Sequence, residues 1–214
     1  MNIAFIGIGQ VGGALAGGLL RAGHRVLIAA RDLQSESVRR AIQANPGLQA
    51  MSASEAVHLA EVVFLATPYS ANGDALADLD LSGKVLVDCT NPVGPGLSHG
   101  LNSRTSGGEE VQRLAPGARV VKAFTIYGFE NFEDNRYPAY GSLKPAMLIA
   151  GDDDGAKAVV GGLCDALGWR PVDVGPLASA LHLEHMTLLW IRMARQQGRG
   201  PNFVWAMLER GAAT

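Results

Sequence analysis

The chain has 214 residues, 48% hydrophobic and 18% charged, which is the composition of a globular protein rather than a disordered one. It is long enough for one domain with an appendage and a full core, and its net charge of −2 argues against nucleic acid or an anionic membrane as partner. Cys89 and Cys164 are the only cysteines; isolated in apolar contexts, they read as reduced thiols of a cytoplasmic protein, and no Cys-x-x-Cys or His/Cys cluster suggests a metal.

Asn2 to Ile6 is a short apolar run that reads as a strand. It opens directly into Gly7, Ile8, Gly9, Gln10, Val11 and Gly12, and then into a helical stretch that Gly23 stops. This is G-x-G-x-x-G between strand and helix, the context that a dinucleotide loop requires. Gly7 permits the tight turn, Gly9 lets a pyrophosphate approach the backbone, and Gly12 lets helix and strand pack closely. The N–H groups at the helix start then bind phosphate. The apolar, uncharged stretch from Met1 to Leu20 has no basic leader, and its glycines fall at nucleotide-motif spacing, so it reads as neither a signal peptide nor a membrane span.

Arg25 to Ala30 reads as the next strand, and its end selects the cofactor. An NAD site places Asp or Glu there, about 20 residues on, to hold the ribose hydroxyls. This chain has Arg31, whose planar, always charged guanidinium suits a 2′-phosphate, so NADP(H) is favoured. Ser35, Ser37, Arg39 and Arg40 are nearby candidates for further phosphate contacts. Leu33 to Ala44 reads as a helix ended by Asn45-Pro46-Gly47. Ser52 or Ser54 reads as the cap of a short helix reaching Ala60, with Glu55 three residues after Ser52 as a capping box.

Strand and helix keep alternating, as a parallel sheet covered on both faces requires. Strands are expected at Glu61 to Ala66, Lys84 to Asp88, Arg119 to Phe124, Ala146 to Ala150 and Pro171 to Val174. Helices are expected at Ser70 to Ala77, from the Ser106/Glu109 capping box to Ala115, and at Asp152 to Leu167. Residues 93–104 and 128–142 read as irregular stretches. After Gly175-Pro176 a long helix carries Leu181 to Ile191, Gly198 to Pro201 break it, and a final helix is expected over Phe203 to Arg210. The fold class is thus α/β: a Rossmann-type, doubly wound, mostly parallel sheet over 1–175, with a C-terminal helical extension over 176–214.

In open α/β sheets, ligands bind beyond the carboxyl ends of the strands. Here those ends are the glycine loop, Ala30-Arg31, Thr67-Pro68-Tyr69, Thr90-Asn91-Pro92 and Phe124-Thr125-Ile126. Hydroxyls and amides beside proline or apolar residues suit a nicotinamide pocket. Candidate proton donors are Lys122, Tyr69, Tyr127, His99, His182 and His185; Lys122 reads equally as a structural ion-pair partner, and Glu184 as a cap or pair.

The chain resembles the NADPH-dependent coenzyme F420 (deazaflavin) reductases and their bacterial relatives, with the metalloreductase domain of the STEAP proteins as a distant cousin. The resemblance rests on the glycine loop, Ala30-Arg31, Leu65 to Pro68, Asp88 to Pro92, Thr105-Ser106 with Glu109-Glu110, and Pro116 to Phe124. It continues in Met147 to Asp152, Leu183-Glu184, Leu188 to Ile191 and Gly200 to Phe203. It implies that Arg31 meets the 2′-phosphate. It implies too that Thr67, Pro68, Asn91 and Pro92 line the nicotinamide side and that Ala123 and Phe124 back the ring. Where the family continues Lys-Ala-Phe-Asn-Thr, this chain has Thr125 and Ile126, a change that lies where the second redox partner would sit.

The expected activity is hydride transfer between NADPH and a deazaflavin or flavin-like partner, which needs two rings held together and no side-chain nucleophile. The alternatives are a reductase of a small carbonyl or imine compound and a non-catalytic NADP(H) sensor. A homodimer is expected, with Trp190, Trp205, Met186 and Met207 as interface candidates.

Overall fold

The computed structural model describes residues 1–210. The final four residues of the expected C-terminal extension lie outside that range.

Eight strands form one sheet in the order β3-β2-β1-β4-β5-β6-β7-β8. They are β1 (Asn2–Ile6), β2 (Arg25–Ala30), β3 (Gln49–Ser52), β4 (Val62–Leu65), β5 (Val85–Asp88), β6 (Arg119–Lys122), β7 (Ala146–Gly151) and β8 (Arg170–Asp173). All neighbours run parallel except β6 and β7, which pair antiparallel through Val121↔Gly151 and Lys122↔Ala150. The chain order reverses between β1 and β4, so a crevice opens at the carboxyl ends of these two strands, where α/β sheets take ligands.

The helices are α1 (Gln10–Arg21), α2 (Glu36–Ala44), α3 (Ala53–Leu59), α4 (Asn72–Leu76), α5 (Gly107–Leu114), α6 (Glu130–Glu133), α7 (Asp154–Ala166) and α8 (Ala180–Ile191). Alternate strand residues feed two cores. Ile3 and Phe5 pack with α1, α2 and α7 on one face, while Ala4 and Ile6 pack with α3, α4 and α5 on the other. Burial on both faces explains why the central strands are unbroken apolar runs. α8 joins the two layers, with Leu183 and Trp190 in the first core and Ala180 in the second.

Local chemistry sets the helix starts. Ser106 Oγ accepts from Glu109 N at 3.0 Å and the Glu109 carboxylate accepts from Ser106 N at 2.8 Å, closing the expected capping box. At α3 only the Ser52 half is made, a 3.3 Å bond from Glu55 N. β3 escapes sequence reading because it is a four-residue edge strand with no buried position. The expected helix over Ser70 to Ala77 is a short 3₁₀ turn, Tyr69–Ala71, followed by α4.

One expectation is overturned: Phe203 to Arg210 is not a helix. Its backbone groups bond elsewhere. Ala146 N donates to Trp205 O at 2.8 Å, Trp205 N donates to Tyr127 Oη at 3.1 Å, and Arg170 donates to Met207 O at 2.7 Å. Phe203 stacks on Trp190 with ring centroids 5.5 Å apart, so Trp190 packs within its own chain. Tertiary partners thus override the helical composition of this segment. Among the described residues no helix is long and apolar enough to cross a membrane.

Candidate functional site

The glycine loop links β1 to α1, and each glycine meets a different constraint. Gly7 has φ +93, and a Cβ there would lie 2.7 Å from Ala66 C and O. A Cβ on Gly12 would overlap Gly7 O, whereas one on Gly9 meets nothing within 4 Å. Close packing therefore requires Gly7 and Gly12, and Gly9 faces open space. Gly9 is also the N-cap of α1 and no side chain caps the helix, so its first N–H groups are left for an anion. These residues fit a dinucleotide pyrophosphate. Two substitutions separate the roles: Gly9→Ala should fold with an unchanged melting temperature yet bind NADPH at least tenfold more weakly. Gly12→Ala should lose several degrees of melting temperature as well. Thermal melts and NADPH titration of both variants check this.

Beside the loop, a cleft of about 360 Å³ runs from Gly7 and Ile8 past Arg31, Ser35 and Ser37 to Thr67. Arg31 is exposed and pairs with no acidic side chain among the described residues. Asp32 accepts instead from Gln34 N at 2.8 Å, and Arg40 is engaged with Glu36. Ser35 and Ser37 hydroxyls lie 3.4 Å apart on the same wall. Gln10 is exposed and Val11 half-buried at the start of α1.

Beyond Thr67 the strand ends converge on a buried polar network. Lys122 Nζ donates to Asp88 Oδ2 at 2.9 Å and Thr90 O at 2.5 Å, and it lies 2.8 Å from Glu184 Oε1. Lys122, Asp88 and Glu184 are each at most 1% exposed. Glu184 also accepts from Gly107 N at 3.0 Å and Gly108 N at 3.2 Å, so it caps the start of α5 as well as pairing with Lys122. His99 Nε2 lies 2.7 Å from Glu184 Oε2, and His99 Nδ1 accepts from Leu101 N and Ser103 N, both at 3.3 Å. Two backbone donors on Nδ1 leave Nε2 to donate to Glu184. The irregular stretch 93–104 is thereby tied to α8.

Burial alone would raise the Glu184 carboxyl, but the Lys122 ammonium, the Gly107 N–H and His99 outweigh it and hold it below the usual range. Burial likewise works against the Lys122 ammonium, and the Asp88 and Glu184 carboxylates overcome it and raise its pKa. Tyr69, half-buried against Gly107, is raised by burial first and then by the Glu184 and Asp88 charges, so its phenol stays protonated.

Thr67, Pro68 and Tyr69 follow β4, and Asn91 and Pro92 follow its paired neighbour β5; Thr67, Tyr69 and Asn91 are half-buried, Pro68 is exposed and Pro92 is buried. Asn91 Oδ1 accepts from Thr125 Oγ1 at 2.6 Å, so the Thr125 hydroxyl is spent inside the protein. Ala123 and Phe124 are 0% and 1% exposed. Phe124 has φ +52 and its ring packs on Phe64 and Phe132, so it presents backbone rather than ring to the site. Tyr127 Oη donates to Ala146 O at 2.7 Å. His182 and His185 are both exposed, with His185 Nε2 3.2 Å from Ser103 Oγ. Sequence reasoning missed Asn72, which is 2% exposed and bridges Thr67 to Thr90. Both thiols are buried.

Residues 2–92 match the family model described as NADP oxidoreductase coenzyme F420-dependent. Among solved structures, a proposed F420-dependent NADP-reductase from Arthrobacter sp. FB24 is 30% identical, with TM-score 0.87, over 98% of this chain and 100% of that one. A hypothetical protein from Sinorhizobium meliloti is 27% identical, with TM-score 0.76, over 98% and 96% respectively. The metalloreductase STEAP3 of Rattus norvegicus is 32% identical over 190 residues, which is 87% of this chain and 36% of that protein. The chain thus spans little more than a third of the length of the curated relatives it matches.

Proposed function

This chain belongs to the coenzyme F420-dependent NADP oxidoreductase family, a family of NADP(H)-dependent oxidoreductases, and on that premise we propose that it passes a hydride between NADPH and a deazaflavin or flavin-like partner. The observation that carries the proposal is the state of the titratable groups at the strand ends. Lys122 and His99, the deepest candidate donors, are buried and fully engaged with Asp88, Glu184 and the loop backbone. Transfer between two ring carriers needs no side-chain acid, only alignment and exclusion of water. Reduction of a carbonyl or imine needs a placed proton donor.

In this reading Gly9 and the first N–H groups of α1 take the pyrophosphate, and Arg31 with Ser35 and Ser37 takes the 2′-phosphate. Thr67, Pro68, Tyr69, Asn91 and Pro92 border the nicotinamide, and the backbone at Ala123 and Phe124 closes the site behind it. Bound NADPH supplies the hydride from its nicotinamide ring. Leu189 and Met207 are exposed and Met186 and Trp205 half-buried, so each keeps apolar area that a second copy would cover in this reading.

A second reading, small-molecule reduction, draws on Tyr69. Its phenol is half-buried beside Gly107, stays protonated and has no hydrogen-bond partner among the described residues. Tyr69→Phe separates the two. Under the proposal, turnover with a flavin-like acceptor changes less than threefold. A loss of 100-fold or more, restricted to carbonyl or imine substrates, would establish Tyr69 as a general acid and sink the ring-to-ring reading. The magnitude follows from the usual 10²–10⁴-fold, roughly, contributed by a general acid.

A further inference from the structure

A directional chain of hydrogen bonds runs from the cleft into the interior. Thr67 Oγ1 donates to Asn72 Oδ1 at 2.8 Å, Asn72 Nδ2 donates to Thr90 Oγ1 at 2.9 Å, and Thr90 Oγ1 donates to Asp88 Oδ1 at 2.7 Å. Thr67 lines the cleft, whereas Asn72, Thr90 and Asp88 are at most 3% exposed. The polarity of the chain follows from its inner end. Asp88, paired with Lys122, is an ionised carboxylate and can only accept. The single Thr90 hydroxyl proton goes to it, so Thr90 Oγ1 can only accept from the next group. Asn72 must therefore present its NH₂ to Thr90 and its carbonyl to Thr67; the flipped amide would set two acceptors against each other. The Thr67 proton is then committed inward, and its remaining lone pairs face the cleft.

We propose that Asn72 and Thr90 are positioning residues that fix Thr67 as a hydrogen-bond acceptor toward the cofactor. Thr67 then takes a donor from the nicotinamide half, either the carboxamide N–H or a ribose hydroxyl, and turns away a phosphate oxygen. The inference rests on the reading that NADP(H) occupies this cleft. It distinguishes Thr67 from a phosphate-binding threonine, which would donate. It also gives the buried Asp88 a role at the surface, because the anion sets the polarity of a hydroxyl three bonds away.

The test is calorimetric titration of the full chain with NADP⁺, its 3-acetylpyridine analogue (which lacks the amide N–H), 2′-phospho-ADP-ribose and 2′,5′-ADP. Thr67→Val should weaken NADP⁺ binding roughly tenfold, equivalent to about 1.4 kcal/mol, while Thr67→Ser retains it. The loss should vanish with 2′,5′-ADP, which has no nicotinamide half. Its disappearance with the acetylpyridine analogue identifies the carboxamide as donor; its persistence there and with phospho-ADP-ribose identifies the ribose hydroxyl. Asn72→Leu, and independently Thr90→Val, should weaken NADP⁺ in the wild-type background but add nothing when Thr67 is already valine, because both act through Thr67. Additive losses, or undiminished NADP⁺ binding by Thr67→Val, would overturn the inference. Failure of the unaltered protein to bind NADP⁺ at all would instead overturn the site reading on which it rests.

Discussion

Lys122→Met should lower the melting temperature by roughly 6–20 °C, the largest stability loss expected from any single change outside the apolar core. Nζ has three protons and meets three acceptors, Asp88 Oδ2, Glu184 Oε1 and Thr90 O. Removing it leaves two carboxylates in the interior with only N–H and O–H groups to offset them. Breaking a buried pair in this way costs about 3–5 kcal/mol, and a domain of this size loses roughly 2–4 °C per kcal/mol. The loss should depend on pH in one direction. Glu184 has a depressed pKa, so its contribution is complete above the ordinary carboxylate value and fades as pH falls through the folded value. Lys122 has a raised pKa, so its contribution holds below the ordinary ammonium value and is lost only in strong alkali, above the folded value. The gap between wild type and variant should therefore be full near neutrality and narrow in acid. Thermal melts from pH 4 to pH 8 check both points. A shift under about 2 °C at pH 7, or a gap that widens in acid, would contradict this account of the network.

The largest functional effect is expected from Arg31→Ala. Arg31 sits where β2 ends, exposed and without an acidic partner among the described residues, on the same cleft wall as Ser35 and Ser37. A guanidinium without an internal partner contributes little to folding, so the variant should melt within about 1 °C of the parent, as exposed substitutions do. A charge-assisted bond to a phosphate is worth about 1.5–3 kcal/mol, so NADPH affinity should fall roughly 10- to 150-fold. NADH lacks the 2′-phosphate, and its affinity should barely move. Parallel titrations with the two cofactors measure the ratio directly. Equal losses for NADPH and NADH would show that Arg31 does not read the 2′-phosphate.

How much of this was legible in the sequence depended on how local each feature is. The alternation of strand and helix, the capping box at Ser106 and Glu109, and the glycine loop are set by residues within a few positions of one another. Their steric and hydrogen-bonding logic can be read without a fold. The buried network cannot be read this way, since Asp88, His99, Lys122 and Glu184 come from four separate segments. The one available signal was an Asp and a Lys closing two apolar strands; in the fold these become register partners, Asp88↔Lys122. Asn72 gave no signal at all, being one polar residue in a short helix, and only its contacts with Thr67 and Thr90 give it meaning. The segment after Pro201 misled for the opposite reason. Its Trp, Ala, Met, Leu and Glu suit a helix, but Ala146, Tyr127 and Arg170 take the backbone bonds that a helix would have used. Thr125 is a similar case: a substitution noticed for its place near a second redox partner proves to have its hydroxyl bonded to Asn91.

The proposed activity is hydride transfer from NADPH to a flavin-like or deazaflavin partner. Its most direct test is NADPH oxidation by the purified protein, with coenzyme F420, FMN, FAD and riboflavin offered separately as acceptors. Turnover is expected with at least one of them, supported far better by NADPH than by NADH. Silence with all four, in a protein that still binds NADPH tightly, would contradict it.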